Sequence, residues 1–496
     1  MTRAAVLSVD IGSSSVRAGL FDRHGETVPG TASHRHHRFT YSEDGGSEAD
    51  PDRLADLVIS CIDETLAAAP AGESVAAVSF CTFLHGLMGT DRDGGAVTPV
   101  ITWADSRSQD QADRLASMMD GEAIRQRTGC PLHPAYFPSK IEWLRDARGG
   151  QLDRVDWWCT IGEYCLRRFT GARACSFSMA SGSGLLDRRA CAWDRELLSA
   201  IRVDPGRLSP LAEPDSARFA LAPAFASRWP RLRAAAWLPA LGDNACSSVG
   251  CGCDTPGRVA LMIGTTGALR TVREATGGTP PLPAPPVPPG LWAYRMDRTR
   301  ELVGGVLGDG GSLFEWLNAT LDTGIPREAL DSALLAAPAA AHRLTVLPFL
   351  TGERSTGWNP RARGAVIGIG PRTRPLDILQ AGLEAVAYRF AAILRGLRTV
   401  EPDVREVIGT GGALRASTAW GQILADVLEV PLVISDSAEA SSRGAAILAL
   451  RALGFNPQPA FRVSGRLCPR AATAPAHRAA FHEQERLLAA IYPKER

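Results

Sequence analysis

Two short glycine turns, one near the start of each half of the chain, constrain this fold more than any other feature. The first lies in Val6-Leu-Ser-Val-Asp10-Ile-Gly12-Ser-Ser-Ser15-Val-Arg17, the second in Arg258-Val-Ala-Leu-Met-Ile-Gly264-Thr-Thr-Gly267-Ala-Leu-Arg270. Each reads as an apolar strand, a tight turn of glycine and hydroxyl residues, and a second strand. Ile11-Gly12 aligns on Ile263-Gly264, so the two hairpins are equivalent. Backbone N–H groups in such a turn cradle a phosphate, and small residues let it approach closely. A single Gly-Ser turn is commonly just a hairpin. Two in register, with Asp10 beside one of them, point to two lobes gripping one polyphosphate.

At 496 residues the chain exceeds the size at which a single core stops growing, so two domains are expected. A net charge of +1 offers no electrostatic case for nucleic acid or an anionic membrane. No apolar run of membrane-spanning length or secretory leader pattern is visible. The 11 cysteines are scattered and odd in number, which fits free thiols in a reducing cytoplasm. Cys246, Cys251 and Cys253 match no zinc spacing. Lysine occurs only at Lys140 and Lys494, and no GxxxxGK[ST] exists, which excludes a P-loop site and disfavours protein-kinase chemistry. Gly409-Thr-Gly411-Gly412 starts like a dinucleotide fingerprint but lacks its third glycine.

Along the chain, residues 51–69 carry helical periodicity and 74–80 read as a strand. That strand runs into Leu84-His85-Gly86, and a second apolar piece, 97–102, runs into Trp103-Ala-Asp105-Ser-Arg107. His34, His36 and His37 read as a solvated loop, and the Pro-rich residues 279–289 as an extended surface excursion. Gly308-Asp-Gly-Gly311 and Gly409-Thr-Gly411-Gly412 read as strand-to-helix turns able to hold a nucleotide. The tail ends in a helix, and no repeat is visible beyond the two hairpins.

Several motifs in order then resemble the FGGY carbohydrate kinases. Asp10-Ile-Gly12-Ser-Ser-Ser-Val-Arg17 resembles the family's first phosphate motif, and Tyr136-Phe-Pro-Ser-Lys140-Ile-Glu-Trp143 its first signature. Gly242-Asp243-Asn244 is similar to the catalytic-aspartate segment and Gly264-Thr-Thr-Gly267 to the second phosphate motif. Gly364-Ala-Val-Ile-Gly368 with Asp377 to Glu384 resembles the second signature, and Gly411-Gly412-Ala-Leu the adenosine motif. The resemblance implies an α/β, two-lobed, actin/hexokinase-like (ribonuclease H-like) fold with duplicated domains about a central cleft. Residues 1–242 form the sugar lobe and 243–496 the nucleotide lobe. It further implies ATP and Mg²⁺ as cofactors, a small sugar or sugar acid as partner, and a cytoplasmic enzyme for which a homodimer is admissible.

The same resemblance distributes the roles. Asp243, which by itself reads as a helix cap, becomes the general base, and Asp10 the Mg²⁺ residue acting through water. Gly12, Ser13, Ser14, Arg17, Gly264, Thr265 and Thr266 meet the phosphates, and Gly311, Gly411 and Gly412 admit the nucleotide. Leu84, His85, Trp103, Asp105, Arg107, Tyr136, Glu163, Asp243 and Asn244 form the sugar side. The segment from Cys175 to Leu186 resembles the gluconate kinases, with Ser176 where an Asp is expected. A Ser tolerates an acidic substrate that an Asp would repel, and Arg107 or Arg173 could then pair with its carboxylate. D-gluconate, phosphorylated at the 6-hydroxyl, is the expected acceptor. The alternatives are a ketopentose such as xylulose, a specialised polyol or cyclitol, an actin-type ATPase without sugar kinase activity, and an inactive sugar-binding relative.

Overall fold

The computed structural model describes residues 4–72, 74–275, 285–436, 439–458 and 461–493. In the first lobe, β1 (Ala4–Ile11) pairs antiparallel with β2 (Ser15–Phe21), and β2 with β3 (Ser33–His36). On its other side β1 pairs in parallel with β4 (Ser74–Thr82), which also carries the short parallel strands β5 (Ala236–Trp237) and β6 (Leu241–Gly242). The second lobe repeats this plan. Strand β7 (Arg258–Ile263) pairs antiparallel with β8 (Gly267–Glu274). Strands β9 (Trp292–Arg295) and β10 (Arg300–Leu307) continue the antiparallel side, with β10 on β8 and β9 on β10. Strand β11 (Glu406–Thr410) then runs parallel to β7, and β12 (Leu432–Ser435) parallel to β11. The duplication therefore covers both sheets, although only the hairpins betray it in the sequence.

Each lobe has its own core. Leu7, Val9, Ile11, Val58 and Ile62 pack in the first, and Leu261, Ile263, Leu269, Val386 and Phe390 in the second. The periodic stretch at 51–69 forms a helix, Pro51–Ala68, capped by the Asp50 side chain with Pro51 in its first turn. The tail ends in the helix Ala474–Ile491. No helix among the described residues is long and apolar enough to cross a membrane.

Two helices join the lobes. Asp243–Gly250 lies against Ala440–Ala452, and the backbones meet so closely that a Cβ on Gly444 would fall on the Cys246 carbonyl and one on Gly250 on the Ala440 carbonyl. The helix Ala440–Ala452 belongs to the second half of the chain but rests on the first sheet. The Ser8 hydroxyl donates to the Ser442 carbonyl at 2.8 Å, and Ala446, Ala449 and Leu450 pack on Val6 and Ala77. A second junction lies at β9, where the Ala293 N–H donates to the Gly129 carbonyl at 3.0 Å. Beside it, Arg188 from the first lobe pairs with Glu301 from the second at 2.8 Å, both side chains fully buried.

Two expectations need correction here. The His-rich segment is not a solvated loop. His34 and His36 lie on the edge strand β3, while His37 is buried. Of the Pro-rich stretch, residues 279–284 lie outside the described residues. The described remainder is drawn between the lobes, with Arg188 donating to the Pro285 carbonyl and Arg125 to those of Val287 and Pro288.

Candidate active site

Both phosphate turns are held open by their own backbones. In the first, the Gly12 N–H donates to the Ser15 carbonyl at 2.9 Å and the His37 N–H to the Ser14 carbonyl at 3.0 Å. The His37 ring donates through Nε2 to the Gly12 carbonyl at 2.9 Å, so a residue read as loop braces this turn. In the second, Gly264 N–H donates to the Thr266 carbonyl at 3.0 Å, Gly311 N–H to the Gly264 carbonyl at 2.7 Å and Gly310 N–H to the Thr265 carbonyl at 2.9 Å. Gly411, at φ +105°, would drive a Cβ onto the Ile263 carbonyl. The turns at Gly264, Gly311 and Gly411 thus stack backbone on backbone. A Cβ on Gly412 would meet nothing within 4 Å, so this turn has an open face. Ser14 and Thr265 are exposed at the tips.

Between the turns stand two acids. Asp10 is the last residue but one of β1 and is 3% exposed, and its carboxylate accepts from Arg17 at 3.2 Å. Arg17 also faces Glu439 at 3.7 Å, which spreads its charge over two acids. Burial pushes the Asp10 carboxyl up to about 7 against the pull of Arg17, and the nearby charges of Asp243 and Glu439 add to the rise. Asp243 opens the helix Asp243–Gly250 and is pushed up to about 6, again mainly by burial. Arg270 and the N–H groups of Asn244 and Leu84 oppose that shift, with the Asn244 N–H at 2.8 Å. Asp10, whose ionisation the charge of Asp243 makes costlier, offers hard oxygen donors that suit a divalent cation keeping much of its water, and Mg²⁺ fits them. Asp10, through water, would hold it, and it would supply charge neutralisation on phosphate oxygens.

The sugar side gathers around His85. This residue sits at φ +66°, and its Nδ1–H donates to the Gly182 carbonyl at 2.5 Å. Burial pulls its imidazole down to about 3, so the ring is neutral and Nε2 is left as an acceptor for a hydroxyl. Tyr136 packs edge-on against His85 at 4.9 Å between centroids, and its hydroxyl bonds that of Tyr294 across the lobe junction at 2.7 Å. Leu84 fills the space beside Gly182 and Gly242, where a Cβ would strike its Cδ2. Trp103 is half-buried and donates from its indole to Ser13 Oγ at 3.1 Å, tying the sugar segment to the first phosphate turn. Asn244, half-buried, follows Asp243.

The other sugar-side residues do different work. Asp105 is 2% exposed, with its oxygens occupied by the Ser47 N–H at 2.8 Å and the Arg107 guanidinium at 2.6 Å. Arg107 is itself shared between Asp105 and Glu48 and stacked over Trp143 at 4.1 Å. This pair braces the loop and leaves no free hydrogen-bonding edge for a sugar. Glu163 is buried in a capping box with Thr160, not beside the pocket. Arg173 lies over Trp157 and faces Asp156, so it is not a carboxylate ligand either. Ser176 caps the helix Phe177–Ser183 and donates to the Ala240 carbonyl at 2.6 Å. It positions the strand leading to Asp243 and does not face the substrate, so its loss of charge says nothing about an acidic acceptor.

Three residues absent from the sequence expectation complete the site. Lys140 is fully buried and donates to the carbonyls of His85 at 2.6 Å and Thr102 at 2.7 Å, which joins the His85 and Trp103 segments. Burial pulls its ammonium down to about 7 against the attraction of Asp105. Arg270 is fastened to Ser247 at 2.6 Å and Ser248 at 3.0 Å on the helix that Asp243 begins. Ser178 accepts from the Gly242 N–H at 3.1 Å. Lys140 and Arg270 both lie inside quoted motifs, so their position was visible although their partners were not.

Comparison with known proteins identifies the family. Residues 5–250 match the N-terminal domain of the FGGY family of carbohydrate kinases, and residues 261–453 its C-terminal domain. The gluconokinase of Bacillus subtilis is 27% identical over 460 residues, covering 90% of this chain and 88% of that protein. The xylulose kinase of Klebsiella pneumoniae is 28% identical over 426 residues, 85% of this chain and 84% of that protein. The crystal structure of gluconate kinase from Lactobacillus acidophilus shares the fold, with a TM-score of 0.91 at 24% identity over 99% of both chains. With both domains matched in order across most of its length, the chain belongs to the FGGY family of carbohydrate kinases.

Proposed function

We propose that this carbohydrate kinase uses ATP with Mg²⁺ to phosphorylate D-gluconate at its 6-hydroxyl. The observation that supports the chemistry is the nearness of Asp10 and Asp243: Asp10 pairs with Cys81, Gly242 pairs with Thr82, and the charge of Asp243 acts on Asp10. The acceptor hydroxyl donates to the Asp243 carboxylate, which takes its proton as the oxygen attacks the γ-phosphorus and ADP leaves. The N–H groups and hydroxyls of Ser13, Ser14, Thr265 and Thr266 surround the phosphates. His85 accepts a sugar hydroxyl through Nε2. Similarity to gluconokinases supports the acid, and similarity to a xylulose kinase keeps a ketopentose as the second reading.

A coupled ATPase assay over gluconate, xylulose, ribulose, glycerol and inositols tests this. Gluconate is expected to give the highest kcat/KM. A neutral sugar or polyol better by more than about tenfold would overturn the substrate and leave the kinase standing.

A further inference from the structure

Each first-lobe arginine expected beside the substrate or the phosphates already faces an acid. Arg107 and Arg17 are each shared between two acids, and Arg173 is taken by Asp156 and Trp157. The second lobe supplies a further arginine. Arg354 is half-buried, and no carboxylate among the described residues lies within ion-pair distance of it. Its Nε is enclosed without a hydrogen-bond partner. Glu353, its neighbour, turns to Arg389 at 3.4 Å. Asp309, which lines the same small recess, is held by the Thr351 N–H at 2.9 Å and by Ser312 Oγ at 3.1 Å.

The segment carrying Arg354 is anchored. Ser355 N–H donates to the Val306 carbonyl at 2.9 Å, and the Val306 N–H returns a bond to Ser355 Oγ at 3.0 Å. The Arg354 carbonyl accepts from Trp358 N–H at 2.6 Å, and the Trp358 ring meets His133 of the first lobe at 5.4 Å between centroids. His133 leads on to Tyr136, and Tyr136 to His85. Arg354 therefore stands at the sugar side of the cleft. Its charge reaches His85, His133 and Lys140, where it adds to burial in disfavouring their protonated forms. Asp243 instead feels Arg270 and local N–H groups. The rings of His85, His133 and Tyr136 thus share their surroundings with Arg354, while Asp243 shares its own with Arg270.

We infer that Arg354 binds a carboxylate of the acceptor, at the end of its carbon chain opposite the hydroxyl that is phosphorylated. This deepens the gluconate reading above and rests on it. A guanidinium fork fits a carboxylate with two parallel N–H···O bonds, and the unpartnered Nε supplies one of them. Lodged on the second lobe, it engages the acid only when the two lobes share one substrate.

The test compares D-gluconate with D-glucitol, the uncharged alditol of the same length, in the wild type and in Arg354→Gln and Arg354→Lys. Arg354→Gln is expected to raise KM for gluconate by about tenfold or more and to move that for glucitol by less than about threefold. Arg354→Lys should recover part of the gluconate affinity, which shows that charge is the cause. Equal losses for both acceptors would place Arg354 on the transferred phosphoryl group or on the fold, and no loss for either would leave it idle. Both outcomes overturn this inference while leaving gluconate as substrate. A wild type that prefers glucitol or a ketopentose overturns both readings. Thermal unfolding of each variant separates loss of binding from loss of structure.

Discussion

Asp243 is costly to the resting protein. Its carboxyl is pushed to about 6, mainly by burial, so the folded state holds a proton that the unfolded chain releases near 3.8. Folding is therefore disfavoured by this group as pH rises from about 4 to about 6, and the penalty is constant above that. Asp243→Asn should raise Tm at pH 8 more than at pH 4.5, while lowering kcat by about 10²–10⁴-fold, the usual share of a positioned base. Retention of more than about a third of wild-type kcat would remove Asp243 from the mechanism. The same shift predicts that wild-type activity falls as pH drops through about 6. Asp10→Ala should raise the Mg²⁺ needed for half-maximal activity and leave sugar binding without nucleotide intact, as an Mg²⁺ titration and calorimetry would show. Both acids were legible because a motif surrounds each. Asp105 and Glu163 were legible as residues but not as what they do. Whether a carboxylate is open to a ligand or filled by Ser47, Arg107 or Thr160 depends on contacts across the chain that spacing does not carry. Arg354 went unseen for the converse reason, since a lone cation is identified only by the absence of partners in space.

At the scale of the elements, the glycine turns divide into two kinds. Gly311 and Gly411 are required by the protein itself, because their neighbours' carbonyls occupy the space a side chain would need. Gly412 is different, since a methyl group there touches nothing within 4 Å. Gly412→Ala is therefore expected to fold with an unchanged or slightly higher Tm, Ala being the better helix residue. The methyl would still weaken ATP binding by about tenfold, because it occupies space on the nucleotide's side of the turn. Unchanged ATP affinity by calorimetry would move the adenosine site elsewhere. The repeat of the sheets shows where sequence reading stops. The order β3-β2-β1-β4-β5 of the first lobe recurs as β10-β8-β7-β11-β12 in the second, which adds β9 at one edge and Val463–Leu467 at the other, yet the resemblance in sequence lies at the hairpins, where the backbone must bend tightly around small side chains. Elsewhere any apolar residue serves the core, so the two halves diverged without losing the topology. Strand β3 escaped notice because its residues are mostly exposed, which removes the alternation that marks a half-buried strand.

For the whole molecule, the question is how two lobes can move when they are already joined in two places. The helix pair at Gly250 and Gly444 is in backbone contact, and the Arg188–Glu301 pair beside β9 is fully buried, so both junctions are suited to act as fixed pivots. The contact at the cleft rim is of another kind. Arg361 faces Asp113 at 3.6 Å with side chains 85% and 51% exposed, and such a pair is worth only about 0–1 kcal/mol. Rotation about the pivots can break and remake it at little cost. The proposed phosphoryl transfer would call for that rotation, because the residues assigned to the sugar lie mainly on the first lobe and the second glycine turn on the other. Water left in an open cleft would also compete with the sugar for the γ-phosphate. Neither ligand alone fills the cleft, so neither should hold the fully closed form. Gluconate together with a non-hydrolysable ATP analogue should give a smaller radius of gyration by solution scattering than the free protein or either single complex. Raising the salt concentration should not abolish that compaction, since the buried pivots, not the rim pair, define the closed state. Identical radii in all four states would mean that the lobes are fixed and that substrate enters a cleft already formed.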